Sequence, residues 1–257
     1  MNYNYHTHTY RCGHAIGTDE DYVKRAIEGG IKHLGFSDHV PLKFSDGSES
    51  GFRCPTDKAE DYVQSIKDLG EKYKDKLDIK VGFEMEYYPT LFANTVEYLK
   101  SIGAEYVILG QHFLGPENED YTHTSMVGSD SAETVKTYAD LVVEGINTGI
   151  FTYVAHPDVL KFCGDGEVYK AEMRRICVAA KDKDIPLEIN LLGIRTDRHY
   201  PNPLFWEIAG EVGAPVTFGS DAHQPIDTYD GESVKKALKM VEKFGLNYIG
   251  EPKIRII

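Results

Sequence analysis

Short apolar segments alternate with amphipathic segments of helical period along nearly all of the 257-residue chain. Thr18 and Asp19 are typical residues for the start of a helix, and Gly29-Gly30 is typical of a helix end. Strands that alternate with helices predict a parallel sheet that carries its helices on the outside. We therefore expect an α/β protein, and the length suits a single α/β barrel domain over residues 1–257.

The pattern places individual elements along the chain. The predicted strands cover residues 3–7, 34–36, 79–83, 106–109, 151–155, 187–190 and 215–218. The predicted helices cover residues 19–28, 57–73, 89–100, 132–147, 168–182, 203–212 and 232–244. The tail from 248 to 257 is either a closing strand or a docked segment. An open doubly wound sheet is the competing fold, but no Gly-x-Gly-x-x-Gly follows the first strand, so we favour a barrel of seven or eight strands.

The amino-acid composition limits the kinds of molecule that the protein is expected to bind. The chain has 41 acidic and 28 basic residues and a net charge of −13, which argues against nucleic acid and against an anionic membrane surface. We find no apolar stretch of transmembrane length and no signal peptide, so we expect a cytoplasmic protein. Four cysteines stand far apart, which disfavours a disulfide framework or a zinc ribbon.

Residues that bind metals follow the predicted strands at their carboxyl ends, where (β/α) barrels carry their chemistry. His6 and His8 are two positions apart on one strand, so both rings face the same side and can reach one ion. Six further strand ends carry imidazole or carboxylate groups: Asp38-His39, Glu84, His112, His156, Glu188, and Asp221 with His223. This set fits two or three ions, with Glu84 as a bridging ligand.

Three histidines lie outside this register. His33 precedes the second strand, so we place it at the opposite face of the barrel. His123 lies in an acidic loop, and we expect it to be solvated. His199 follows the sixth strand, where it either contacts substrate or has no role.

The motifs together resemble the polymerase-and-histidinol-phosphatase (PHP) superfamily. They run from His6 to His223, and the length and the long loop after the second strand are similar to its stand-alone histidinol-phosphate phosphatases. The motifs are His6-Thr7-His8-Thr9, Cys12-Gly13-His14, Ser37-Asp38-His39, Gly82-Phe83-Glu84, Gln111-His112, Ala155-His156-Pro157 and Gly219-Ser220-Asp221-Ala222-His223. In this family a glycine often follows the histidine that corresponds to His14. Here Ala15 follows it.

The resemblance implies a distorted seven-stranded (β/α) barrel with a trinuclear metal centre at the carboxyl ends of the strands. It implies three divalent ions, of zinc, manganese or iron. By position, one ion is held by His6, His8, Glu84 and Asp221. A second is held by Glu84, His112 and His156, and a third by His14, His39 and His223.

The activity implied by the resemblance is the hydrolysis of a small phosphate monoester, L-histidinol phosphate, in histidine biosynthesis. A hydroxide that bridges two ions would attack phosphorus, and Asp221 would take part in proton transfer. Arg195 is our first choice for a phosphate-binding side chain, followed by Arg198 and Lys161 on the same rim. Glu117, or else Asp38 or Glu86, would receive the ammonium and imidazole groups of the substrate.

Three other functions remain open at this stage. The first is a phosphodiesterase or exonuclease of the same superfamily, which the negative charge disfavours. The second is a C–N hydrolase related to the amidohydrolases, although Lys80 begins its strand and so is misplaced for a carbamate bridge. The third is a metal-binding protein without catalysis. The oligomeric state is open as well.

Overall fold

The computed structural model describes residues 1–119 and 122–257 and has an α/β architecture built on parallel strands. The first four strands form one sheet in the order β1-β2-β3-β4, and the last three form a second sheet in the order β5-β6-β7. Every pair of neighbouring strands is parallel. The bounds are Tyr3–Asn4 (β1), His33–His39 (β2), Asp78–Met85 (β3), Tyr106–Leu109 (β4), Leu187–Asn190 (β5), Pro215–Gly219 (β6) and Asn247–Tyr248 (β7).

Helices follow the strands, and they agree with the predicted segments to within a few residues. Their bounds are Asp19–Glu28 (α1), Ala59–Tyr73 (α2), Phe92–Ile102 (α3), Ala132–Thr148 (α4), Gly166–Lys183 (α5), Leu191–Arg195 (α6), Pro203–Val212 (α7) and Gly231–Phe244 (α8). Thr18 and Asp21 form a capping box at the start of α1. The short helix α6 was not predicted, and Asn190 begins it by accepting a hydrogen bond from the Gly193 N–H. None of the helices in the described ranges is long and apolar enough to cross a membrane.

The segment 151–155 is not the continuous strand that the sequence predicted. It makes single parallel bridges, from Val154 to Leu109 on one side and to Leu187 on the other. His156 has a φ of 29° and Pro157 follows it, so the extended run ends directly after Ala155. The segment nevertheless joins β4 to β5, because the Leu109 N–H donates to the Tyr153 carbonyl over 3.0 Å and the Glu188 N–H donates to the Val154 carbonyl over 2.9 Å.

The other edges of the two sheets also meet. The His8 N–H donates to the Ala222 carbonyl over 2.9 Å, and the Ala222 N–H donates to the His6 carbonyl over 3.2 Å. The Tyr3 hydroxyl lies 3.0 Å from the Thr217 hydroxyl across the same junction. The parallel sheet is therefore curled, and the carboxyl ends of β1 and β6 are brought together.

The tail is docked against the fold rather than extended as one closing strand. It contributes only β7 to the sheet, and Ile256 makes an antiparallel bridge to Tyr106. The Tyr106 ring lies inside the curl, where its hydroxyl donates to the carbonyls of Tyr5 (3.0 Å) and Phe36 (3.1 Å). This ring occupies the space beside two strand glycines, Gly35 and Gly82.

We predict that Gly35→Ala destabilises the protein by about 1–3 kcal/mol, because a methyl group at residue 35 would overlap the Tyr106 hydroxyl and stand 2.6 Å from the Tyr5 ring. Urea unfolding monitored by circular dichroism gives the free energy. Gly70→Ala in α2 is the matched control, since its methyl group would lie 3.9 Å from Ile79 and a helix favours Ala. Equal stability of the Gly35→Ala protein and the parent would contradict this account of the packing.

Candidate metal centre

The curl of the sheet brings the predicted ligands from separate strands into one buried cluster around Glu84. The Glu84 carboxylate lies at the end of β3 and is 1 % exposed. Five imidazoles surround its two oxygens. The nearest nitrogen–oxygen distances are 2.8 Å to His156, 3.2 Å to His39, 3.5 Å to His8, 3.5 Å to His112 and 3.6 Å to His6.

Asp221 is the second carboxylate of the cluster. Its Oδ1 atom lies 3.4 Å from Nε2 of His8, 3.7 Å from Nε2 of His6 and 3.2 Å from Nδ1 of His223. The φ angles of Asp221 (49°) and His156 (29°) are both positive, an unfavourable conformation for residues with a side chain. Backbone strain of this kind is concentrated at functional sites, where it holds a side chain in a direction that a relaxed backbone would not give it.

His14, His39 and His223 lie together at the mouth of the cluster. The ring centres of His14 and His223 are 4.9 Å apart, and those of His14 and His39 are 5.3 Å apart. His14 follows a short 3₁₀ turn, Tyr10–Cys12, and Gly13 there has a φ of 80° that glycine tolerates. The loop thus delivers a residue that strand periodicity could not place.

The donor atoms of the cluster fit bound cations. Ligand atoms of His6, His8 and Asp221 lie within 4.8 Å of one another, as do those of His6, Glu84 and His156. Several of these atoms are fully buried and have no hydrogen-bond partner among the described residues, which is costly unless something else binds them. They are His6 Nε2, His8 Nε2, His39 Nδ1, both oxygens of Glu84 and Asp221 Oδ1.

A second layer of carboxylates orients the histidines. Glu188 Oε1 accepts a hydrogen bond from Nδ1 of His6, and Glu86 Oε1 accepts one from Nδ1 of His112, each over 2.8 Å. A proton on Nδ1 leaves the Nε2 lone pair directed at the centre, as is typical of histidines that bind metals. The Nδ1 atom of His14 bonds the Cys12 carbonyl over 2.9 Å in the same way.

The two central carboxylates are ionised. Burial alone would raise the pKa of Glu84, but the nearby His112 and His6 outweigh it and hold that pKa well below its usual range. Burial is likewise overcome at Asp221, whose pKa is well below its usual range because of His6 and His223. The centre therefore presents negative charge to a cation.

The imidazoles divide into two groups. Burial lowers the pKa of His14 to about 4 and holds that of His39 well below its usual range, so both are neutral, the form that binds metal. Burial opposes protonation of His8 as well, but the nearby carboxylates of Asp221 and Asp38 raise its pKa to about 9. A site that attracts a proton this strongly also attracts a cation in its place.

The cluster forms the floor of a cleft of about 260 Å³. Aromatic and apolar side chains of Phe52, Tyr200, Leu192 and Val159 form part of its walls, and Arg198 stands on its rim. This combination of a polar floor and apolar walls suits a small organic molecule that carries a charged group.

The four residues that the sequence analysis proposed for substrate binding have different positions relative to the cleft. Arg198 lines the cleft and donates to the Tyr200 hydroxyl over 2.9 Å. Arg195 at the end of α6 donates from Nη2 to the Asp221 carbonyl over 2.8 Å. Lys161 is exposed and lies outside the cleft lining, and Glu117 is buried away from the cleft.

Glu117 belongs instead to a buried ionic network that the sequence did not reveal. Arg53 is 2 % exposed and pairs with Glu117 through Nε and with Glu86 through Nη1, each over 2.6 Å. Since Glu86 also holds His112, the network links the loop after β4 to the cluster. Of the other two proposed acceptors, Glu86 belongs to this network, and Asp38 is also buried and accepts a hydrogen bond from Thr9.

The histidines outside the register have different environments. His33 pairs with Glu251 at the amino end of β2, away from the cluster, as expected from its position. His199 bonds the Val159 carbonyl through Nε2 over 2.8 Å and does not line the cleft. The prediction that His123 is solvated is wrong: it is 9 % exposed and packs between Phe52 and Phe113 in the cleft wall.

A buried cluster of imidazoles and carboxylates at the carboxyl ends of parallel strands defines a candidate metal centre on an α/β scaffold. The profile of the PHP domain matches residues 4–191, and the chain belongs to this family. That range includes His6, His8, His14, Glu84 and His156, while Asp221 and His223 lie beyond it.

Curated relatives cover most of the chain. A probable histidinol-phosphatase of Deinococcus radiodurans is 27 % identical over 225 residues, which are 86 % of this chain and 85 % of the relative. The histidinol-phosphatase of Lactococcus lactis is 24 % identical over 259 residues, which cover 95 % and 91 % of the two chains. The crystal structure of histidinol phosphate phosphatase from Lactococcus lactis, complexed with zinc, L-histidinol and phosphate, has a TM-score of 0.70 at 21 % identity, covering 96 % of this chain and 95 % of that one.

We predict that Arg53→Ala destabilises the protein by about 3–5 kcal/mol, because it leaves two buried carboxylates without their cation. Urea unfolding measures the change. Arg174→Ala is the matched control: that arginine pairs with Glu211 on the surface, where an ion pair contributes about 0–1 kcal/mol. Similar decreases in the free energy of unfolding of the two variants would show that the network around Arg53 stabilises the protein no more than a surface ion pair does.

Proposed function

We propose that this protein is a metal-dependent phosphomonoesterase that hydrolyses L-histidinol phosphate to L-histidinol and phosphate. The observation that carries the proposal is the pair of buried carboxylates, Glu84 and Asp221, among imidazoles several of whose ligand atoms have no hydrogen-bond partner in the described ranges. Relatives that align over most of the chain are named histidinol-phosphatases, and the fold matches an enzyme crystallised with zinc and both products.

We infer that the cluster holds three divalent ions, of zinc, manganese or iron. Each proposed set draws on ligands whose geometry is described above, and Glu84 is shared by two of them. The sets are His6, His8, Glu84 and Asp221; then Glu84, His112 and His156; and then His14, His39 and His223. Imidazole with carboxylate suits all three metals.

We further infer that residues 1–257 form one distorted seven-stranded barrel. The segment 151–155 bonds both β4 and β5, and the bridge from Thr7 to Ala222 links β1 to β6. These contacts support closure of the two sheets around one centre. The third proposed ligand set supports a single domain too, because His14 and His223 come from opposite ends of the chain.

Divalent ions in this centre would act as Lewis acids that acidify a water molecule and neutralise charge on the phosphoryl oxygens. The protein supplies a proton acceptor, the buried and ionised Asp221 carboxylate, whose Oδ1 atom is also the proposed metal ligand. Asn190 donates to the other oxygen, Oδ2, over 3.0 Å and fixes the carboxylate. We propose that Asp221 takes the proton of the attacking water and returns it to the leaving alcohol.

We propose Arg195 as the phosphate anchor. Its Nη2 and Nε atoms contact the Asp221 carbonyl and the Asp227 carboxylate, which hold the guanidinium against the backbone of Asp221, outside the lining of the cleft. Its Nη1 atom is buried and has no hydrogen-bond partner in the described part of the chain. A phosphoryl oxygen would satisfy this donor, and Arg198 on the rim adds positive charge for the approach of a dianion.

A panel of three substrates tests the proposed function. The metal-loaded protein is expected to hydrolyse histidinol phosphate and to act poorly on a bis-aryl phosphodiester and a dihydropyrimidine-type amide. Release of phosphate and of the aryl alcohol are both followed by absorbance. Preference for the diester or the amide would replace the proposed function with one of the alternatives, and activity on none would indicate a metal-binding protein without catalysis.

We predict close to three ions per chain in protein prepared without chelators, and the loss of two of them in Glu84→Ala, because Glu84 is shared by two ligand sets. Elemental analysis by inductively coupled plasma mass spectrometry measures the content. Glu207→Ala, at an exposed position of α7, is the control and should retain all ions. One ion or fewer in the parent would refute the three-ion centre.

We predict that Arg195→Ala lowers kcat/KM for histidinol phosphate by about 10²–10³, since it removes a fixed donor for the charge that develops on phosphorus. Arg195→Lys should recover only part of the loss, because an ammonium keeps the charge without the planar fork. Metal content should be unchanged in both. A decrease of less than about threefold, under 1 kcal/mol, would assign the anchor to Arg198 or Lys161 instead.

A further inference from the structure

His123 stands in the wall of the cleft but differs from the histidines of the metal cluster. Its ring centre lies 5.3 Å from that of His112 and 5.4 Å from that of Phe52. It lines the same cleft as Glu84 and Asp221. Its position near the proposed ligands raises the question of whether it is a further ligand or a group of another kind.

The hydrogen bonds of His123 decide which of its nitrogens carries the proton. The Ser125 backbone N–H, which can only donate, lies 3.2 Å from Nδ1 of His123, and the Ser125 hydroxyl lies 3.0 Å from the same atom. Nδ1 is therefore an acceptor without a proton. A neutral imidazole has one N–H group, so the proton of His123 is on Nε2.

This polarity is the reverse of that of His6 and His112. Nδ1 of His6 faces Glu188, and Nδ1 of His112 faces Glu86, so both rings carry a proton on Nδ1 and a lone pair on Nε2. His123 has its lone pair engaged by Ser125 and an N–H at Nε2. It can donate a hydrogen bond from that atom, but it cannot coordinate a cation there without losing the proton.

We propose that His123 is a further substrate-binding residue, which donates a hydrogen bond from Nε2 to a phosphoryl oxygen of the bound phosphate monoester. The inference rests on the proposed function, and it adds the group that meets the phosphate from the wall of the cleft. A phosphoryl group offers several acceptor oxygens, whereas the ammonium of histidinol offers only donors and its imidazole a single acceptor nitrogen, so an N–H in the cleft wall fits the phosphate best.

Packing makes this donor rigid. Phe52 and Phe113 lie against the His123 ring with centre-to-centre distances of 5.4 Å and 5.1 Å, and Ser125 fixes its rotation. A donor held in place before the substrate arrives costs little to align. Met126 and Ser125 line the cleft beside it, so the loop that carries His123 forms this part of the wall.

Two substitutions separate hydrogen bonding from packing. His123→Phe keeps an aromatic ring between Phe52 and Phe113 but removes the N–H, whereas His123→Gln places an amide N–H near the position of Nε2. His33→Phe is the matched control, because His33 lies at the amino end of β2 and away from the cleft. Metal content and the thermal midpoint of unfolding are measured for every variant.

Inorganic phosphate is the probe, and its Kd for the metal-loaded protein is measured by isothermal titration calorimetry. We expect His123→Phe to weaken phosphate binding about tenfold and to lower kcat/KM for histidinol phosphate by about 10- to 100-fold, with metal content unchanged. His123→Gln should recover part of both losses, and His33→Phe should match the parent.

Two results would overturn the proposal. A phosphate Kd within threefold of the parent in His123→Phe would show that the ring only packs, and the loss of an ion in that variant would show that His123 is a ligand. Failure of the proposed function is a separate result. If the parent does not hydrolyse histidinol phosphate, the function is wrong, while the phosphate Kd still decides the role of His123.

Discussion

The structure depends on a carboxylate, Glu84, that is buried among five imidazoles at the centre of a curled sheet. An isolated buried carboxylate would become neutral, because transfer of its charge out of water is costly. The histidines keep Glu84 ionised, and within residues 1–119 and 122–257 the ligand atoms of His6, His8 and His39 have no hydrogen-bond partner. Because these groups come from different strands, the cluster exists only when the sheet is curled, so the fold and the site form together.

Buried charged side chains around the cluster hold its histidines in place. Glu188 holds His6, and Glu86 holds His112 while it also pairs with Arg53. Removal of any one of these groups would leave another without a partner in a region that excludes water, which is why we expect large effects on stability. The network extends to Glu117 in the loop after β4, so a loop that surrounds the cleft is joined to the metal cluster by ionic contacts.

Sequence periodicity predicted the part of the site that strands deliver. His6, Glu84 and Asp221 follow strands whose carboxyl ends meet, so their proximity follows from the order of elements. His14 came only through the family resemblance, because it lies on a loop. Glu117 illustrates what pattern cannot give: the sequence predicts a substrate-binding carboxylate in an acidic loop, and only the three-dimensional position of Arg53 makes it a buried ion-pair partner. Likewise, the sequence predicted a continuous strand at 151–155, because apolar composition does not reveal the positive φ of His156 that ends the extended segment.

The role of a histidine in this cleft is determined by the partner of its second nitrogen, and this information is absent from spacing. A carboxylate on Nδ1 turns the lone pair of Nε2 toward the centre, as in His6 and His112. A backbone N–H on Nδ1 does the opposite in His123, which then presents a proton. Under the proposed function both kinds of group have a task, because the cations are held by lone pairs and the phosphoryl oxygens that face away from the cations accept hydrogen bonds. Histidine can therefore supply both the ligands that hold the cations and a hydrogen-bond donor for the phosphate.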